Sequence, residues 1–362
     1  MAALLNRREW LAMGTAATAA AALPAAARPQ RPARLSLNEN AFGPSPRVGP
    51  AIARAVNGIE RYVDQAEVDA LTRQIAALEQ VAPEQVVIGE VLEPLGLYLA
   101  RQRAGGGGIV FSSPGYTALV DAAAPLGGRA VPVPLDAALE NDLPALARAV
   151  DRDTLAVSLV NPHNPSGTVG DAVALHAFIA DTAQRTLVVV DEAYLEYDDF
   201  AGRSAIRHVR AGANVLVFRT LAKIYGLAGL SIGYAVAPVA LAKGLRAAGI
   251  GSPHSLNRLA LVAAAAALGD QVHVATVRAS VTGERNRITA VLDTLGFKHT
   301  ASRANFVFFK PPDPGMLRSA FTSADIQLAR PFPPLDDWIR ITIGRRAEND
   351  RVIAVLRNVD RG

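Results

Sequence analysis

From Val86 to Ala237 the chain alternates short runs that are apolar throughout with stretches of helical periodicity, and this constrains the fold more than any other feature. The apolar runs are Val86–Ile88 and residues 109–111, 130–133, 155–160, 187–190, 215–218 and 232–237, with helical patterns near 117–125, 143–150 and Ala172–Thr182. Strands this short and without polar alternation are buried on both faces. Separated by helices, they are joined by crossovers. The expected core is therefore an α/β fold with a mostly parallel central sheet covered by helices.

In such sheets ligands sit outside the carboxyl ends of the strands. Two of those ends carry polar clusters that a core would not choose. Residue 160 runs into Asn161-Pro162-His163-Asn164-Pro165-Ser166-Gly167, and residue 190 into Asp191-Glu192-Ala193-Tyr194. After the 215–218 run comes Lys223, followed by a glycine-rich turn. An ammonium group in that apolar setting is partly desolvated, which favours the neutral amine and makes Lys223 a candidate Schiff-base former with a carbonyl cofactor. Each residue alone has an ordinary alternative: Lys223 as a surface lysine beside a turn, Asn164 as a turn former, Asp191 as a helix cap. What favours chemistry is an amide, a carboxylate, a phenol and an amine at successive strand ends.

The length of 362 residues suits two domains around one active site. Helical patterns at 48–57 and 68–78 precede the alternating region. The last third reads as a smaller α+β domain, with helices at 255–267, 272–295 and 349–358 and strands at 306–309 and 339–343. The formal charge of +4, without basic runs interleaved with aromatics, argues against nucleic acid as a partner. With no cysteine and six histidines lacking ligand spacing, neither a disulfide nor a metal site is expected. Arg7 and Arg8, an alanine-rich apolar run and an Ala-x-Ala end at Ala27 read as a twin-arginine export signal. A periplasmic or secreted mature chain with no membrane segment follows from that reading.

The three motifs at 161–167, 191–194 and 219–230 (Arg-Thr-Leu-Ala-Lys-Ile-Tyr-Gly-Leu-Ala-Gly-Leu) stand in the order of the fold-type I pyridoxal phosphate enzymes. With the opening at 38–45 and the close at 340–344, the chain most resembles the histidinol-phosphate aminotransferases along nearly its whole mature length. The resemblance implies pyridoxal 5'-phosphate held by Lys223, which would also shuttle protons, and Asp191 keeping the ring nitrogen protonated. Asn164 and Tyr194 would serve the ring hydroxyl, Tyr116 would stack on the ring, and Thr220, Tyr62 and the helix start at Glu90 and Val91 would receive the phosphate. Tyr62 would reach across from a second subunit of a homodimer. Arg340 would grip the carboxylate of an amino acid or keto acid substrate, with Arg330 and Asn305 nearby.

The implied divisions are a signal at 1–27, an arm and small-domain segment at 28–61, a large cofactor-binding domain at 62–254 and a small domain at 255–362. Three departures fall on the phosphate side: Ser231 where the family has arginine, Ala222 where it has serine, and the carboxylate of Glu90 at the helix start. The implied reaction is amino-group transfer. The same residues would also serve a racemase, lyase or oxidase, and the altered phosphate cup leaves room for a non-catalytic binding protein.

Overall fold

The structure, a computed structural model, describes residues 32–103 and 105–359, so the export signal expected at 1–27 lies outside the described residues. The strands are Ala33–Arg34 (β1), Val86–Ile88 (β2), Gly108–Ser113 (β3), Arg129–Pro134 (β4), Thr154–Val160 (β5), Leu187–Asp191 (β6), Val215–Thr220 (β7), Gly233–Val236 (β8), Lys298–His299 (β9), Phe306–Lys310 (β10), Ile326–Gln327 (β11) and Ile339–Thr342 (β12). A seven-stranded sheet has the order β2-β8-β7-β6-β5-β3-β4. Strands β3 to β7 are mutually parallel, whereas β8 is antiparallel to both β7 and β2. The exception has a local cause. Between Thr220 and Gly233 the chain makes only a short 3-10 turn, Ala228–Leu230, and a parallel return needs a longer crossover.

Side-chain alternation along these strands divides the core in two. Val157, Leu159, Val188, Val190, Val215 and Val217 point to one face. There they meet Leu71 and Ile75 of helix Gln65–Glu79, Ile179 of Ala172–Thr182, and Ala263 and Ala264 of Arg258–Leu268. Ala156, Leu187, Val189, Leu216 and Phe218 point to the other, against Leu95, Leu119 and Leu245 of helices Leu92–Arg101, Ala118–Ala123 and Val239–Ala247. A strand whose every residue enters a core must be apolar throughout, which is why the runs lack polar alternation. The run at 130–133 departs from that expectation: β4 is the edge strand, and of its residues only Val133 is buried. Several of the helices begin at acids and amides. Asp171 accepts from the N–H of Ala174 at 2.8 Å, and Asn257 from Ala260 at 3.0 Å.

The segments expected to form the small domain supply a second, antiparallel sheet in the order β12-β10-β9. Phe308 of β10 stacks on Trp338 at 5.0 Å between ring centres. The N-terminal arm joins this part of the molecule: β1 pairs in parallel with β11, and Thr342 donates its N–H to Leu35 O at 2.9 Å. Elements not read from the sequence are β1, β9 and β11 and helices Phe200–Arg203, Ile206–Arg210, Val239–Ala247 and Pro314–Ser323, while of helix Leu92–Arg101 only the start was expected, from the resemblance.

Candidate active site

Strands β5, β6 and β7 end side by side, and their carboxyl ends open into a cavity of about 720 Å³. Asn164, Asp191, Tyr194, Thr220, Lys223 and Arg340 all line it, together with Tyr116, Glu90 and Arg330. Asp191 is the last residue of β6 and is buried, with Oδ1 accepting from the N–H of Ala193 at 2.9 Å. Burial pushes its pKa up to about 7 despite that hydrogen bond, with Glu90 adding to the rise and Lys223 opposing it.

Lys223 is half-buried and its Nζ donates to Leu37 O at 3.1 Å, 5.7 Å from the centre of the Tyr194 ring. The Tyr194 hydroxyl accepts from Asn38 Nδ2 at 3.0 Å, which leaves its own proton free to donate into the cavity. Tyr116 is 48% exposed at the wall, and its hydroxyl is pushed up to about 12, chiefly by burial and then by Asp191.

Arg340, from β12, enters the opposite end and is buried. It donates to Asn164 Oδ1 and, at 2.9 Å, to Ser36 O, and Phe332 lies 4.8 Å beneath its guanidinium. Its Nε is buried without a partner, and no carboxylate pairs with it among the described residues. Burial lowers its pKa to about 10, with Arg330 adding to the fall. Arg330 itself is exposed at the mouth, stacked over Phe332 at 5.2 Å.

Three expected residues stand apart from this cavity. Asn305 is buried outside it and spends Nδ2 on Asn38 O at 3.0 Å and Glu39 O at 3.3 Å, so it positions the arm. Val91 is buried in the core at the start of helix Leu92–Arg101. Tyr62 is 83% exposed, edge-on to His254, and does not reach the cavity of its own chain.

Sequence reasoning passed over the arm's own part. Ser36, Leu37 and Asn38 line the cavity and bond to Arg340, Lys223 and Tyr194. Asn38 has a φ of 56°, a left-handed conformation that asparagine tolerates better than most residues, and its place in a turn-rich stretch was the available signal. Also passed over was a buried ion network behind the site. Because neighbours in a strand face opposite ways, Thr220 turns to the cavity while Arg219 turns to the core. There it pairs with Glu79 at 3.1 Å and Glu192 at 2.9 Å, while Tyr234 donates to Glu79 at 2.6 Å and Ser204 to Glu192 at 2.9 Å. Burial alone would lower the Arg219 pKa, but the two glutamates raise it further.

Residues 32–356 match the family described as aminotransferase class I and II. The chain belongs to that family. Among class I and II aminotransferases it is 33% identical to the histidinol-phosphate aminotransferase of Leuconostoc citreum, over 90% of this chain and 92% of that one. It is 35% identical to that of Limosilactobacillus fermentum, over 90% of each. The solved histidinol-phosphate aminotransferase of Sinorhizobium meliloti, in complex with pyridoxal-5'-phosphate, superposes with a TM-score of 0.81 at 31% identity, covering 91% of both chains. The chain is thus a pyridoxal phosphate-dependent aminotransferase.

The residues fit that cofactor at its ring: a buried acid for the ring nitrogen, a phenol and an amide for the ring oxygen, and an amine within reach. At the phosphate end the fit is looser. The N–H groups of Leu92 and Glu93 make no hydrogen bond, as suits an anion at a helix start. Thr220, however, gives its hydroxyl proton to Glu90 Oε1 at 2.8 Å.

Proposed function

We propose that this aminotransferase moves the amino group of an α-amino acid to a keto acid and holds the substrate carboxylate at Arg340. The observation that carries this reading is the buried guanidinium of Arg340, which lines the cavity with Nε unpartnered and no acid beside it among the described residues. A buried cation without a counterion is costly unless an anionic ligand completes it. Asn164 and Ser36 O fix the orientation of the fork, so a carboxylate can meet it in two parallel contacts.

Pyridoxal phosphate, when bound, supplies an electron sink for the substrate's α carbon. Lys223 removes and returns the proton at that carbon, Asp191 holds the proton on the ring nitrogen, and the Tyr194 hydroxyl donates to the ring oxygen. Two half-reactions distinguish transfer from racemisation, elimination or oxidation, because only transfer needs a keto acid to complete the cycle.

The test is a panel of amino acids and histidinol phosphate offered to the loaded enzyme, with keto acid product measured. Arg340→Ala raises KM for the responding amino acid about 10- to 150-fold, the worth of one charge-assisted contact, with a smaller change in kcat. A response to histidinol phosphate and to no carboxylate-bearing substrate sinks the assignment.

Two further parts of the reading concern assembly and location. A homodimer is supported by the exposed Tyr62, which stands near other exposed apolar side chains at Val56 and Ile59, and sedimentation tests it. Export is supported by Arg7 and Arg8, and replacing both with lysine would retain the protein in the cytoplasm.

A further inference from the structure

We propose that Glu90 weakens this enzyme's hold on the phosphate of its cofactor, so that it takes the unphosphorylated aldehyde, pyridoxal, on nearly equal terms with the phosphate ester. This rests on the reading of the cavity as a pyridoxal site.

Glu90 lies between β2 and helix Leu92–Arg101 and faces the same cavity as Lys223. Its carboxylate takes the hydroxyl proton of Thr220, whose oxygen already accepts from the N–H of Ala222 at 3.1 Å. The threonine is therefore committed to an acid of the protein itself, beside the two unbonded N–H groups that would otherwise favour an external anion. The charged and titratable groups acting on Glu90 are Lys223 and Glu93, and Asp191 and Tyr116 feel it in turn. Lys223 is the one cation among these, and it is the group that the aldehyde engages. Arg330 and Arg340 belong to the other end, where they act on each other over Phe332.

Ser231, in a left-handed conformation at φ 48°, completes this side of the wall with a neutral hydroxyl. Burial raises the pKa of Glu90, with Thr220 and Lys223 opposing, so its charge is already poorly solvated before any ligand arrives. A phosphate dianion entering there meets two carboxylates and a spent donor. The hydroxymethyl group of pyridoxal carries no charge and can donate to Glu90 in place of Thr220.

The test titrates the cofactor-free full chain with each aldehyde by calorimetry at low salt, for wild type, Glu90→Gln and, as a second route, Ser231→Arg. The expected wild-type preference for the phosphate ester is within about tenfold. Glu90→Gln tightens the ester about 10- to 100-fold, the scale of one charge-assisted contact, while the Kd of pyridoxal moves less than about threefold. Ser231→Arg shifts the ratio in the same direction. Free pyridoxal cyclises in solution, a property of the ligand that cancels when variants are compared, and pyridoxal binding by each variant reports that its pocket is folded. A wild type that prefers the ester more than about a thousandfold, or a Glu90→Gln change equal for both aldehydes, overturns the proposal and leaves the aminotransferase reading standing. A wild type that binds neither aldehyde overturns both.

Discussion

Replacing Arg219 with methionine tests whether the site rests on the ion network behind it. The change keeps most of the apolar volume but removes the cation that lies 3.1 Å from Glu79 and 2.9 Å from Glu192. Both acids are almost wholly buried. Glu79 would keep its bond from Tyr234, and Glu192 its bonds from Ser204 and the N–H of Ala205. Removing one partner of a buried ion pair costs about 3–5 kcal/mol, and one cation serving two acids belongs at the upper end.

For the roughly 330 described residues, unfolding entropy near the midpoint makes that a fall in Tm of about 4–7 °C. The loss depends on pH in a direction the structure fixes. Burial already raises the pKa of Glu192 while Arg219 opposes the rise, so without Arg219 it rises further. The variant is then least handicapped near pH 5, and its stability falls further as the pH rises through that raised value. Paired thermal melts of wild type and Arg219→Met at pH 5 and pH 8 measure this. An equal loss at both pH values would mean that packing, not charge, was removed, and would refute the argument.

Lys223→Arg keeps a cation at the strand end but cannot engage an aldehyde, so transfer falls by on the order of a thousandfold or more in a keto acid assay while the fold persists. In the cofactor-free protein Asp191 holds its proton up to about pH 7, well above the range of an unfolded carboxyl. Its share of stability should therefore decline by on the order of a few kcal/mol as pH rises from about 4 to about 7, and Asp191→Asn should shrink the decline seen in melts across the range, leaving the part that buried Glu196, also raised to about 7, contributes.

The central sheet was legible because its strands other than the edge strand β4 enter two cores, which leaves an unbroken apolar run as their mark. The site was legible for a related reason. A polar cluster stands out when it follows such a run, as Asn164, Asp191 and Lys223 do. What was not legible depends on partners distant in the chain. Strands β1 and β11 are two residues each and exist only by pairing across nearly three hundred residues, so no local pattern marks them. Helix Pro314–Ser323 did carry a local start signal that was passed over, since Asp313 accepts from the N–H of Met316 at 2.8 Å and Pro314 opens the first turn. Glu90 was readable as a misplaced charge, though its direction was set by Thr220, 130 residues away. Arg219 sat in plain view inside an apolar strand. A charge there demands a buried counterion, and Glu192 was within the motif already singled out.

The bonds of the arm to the distant strand β12 also order events during synthesis. Asn38 donates its N–H to Thr342 Oγ1 at 2.9 Å, and Ser36 O receives the guanidinium of Arg340. The arm leaves the ribosome 304 residues before its dock. The catalytic mouth thus stays open while those residues are made, and the cofactor meets a complete pocket only once β12 has emerged.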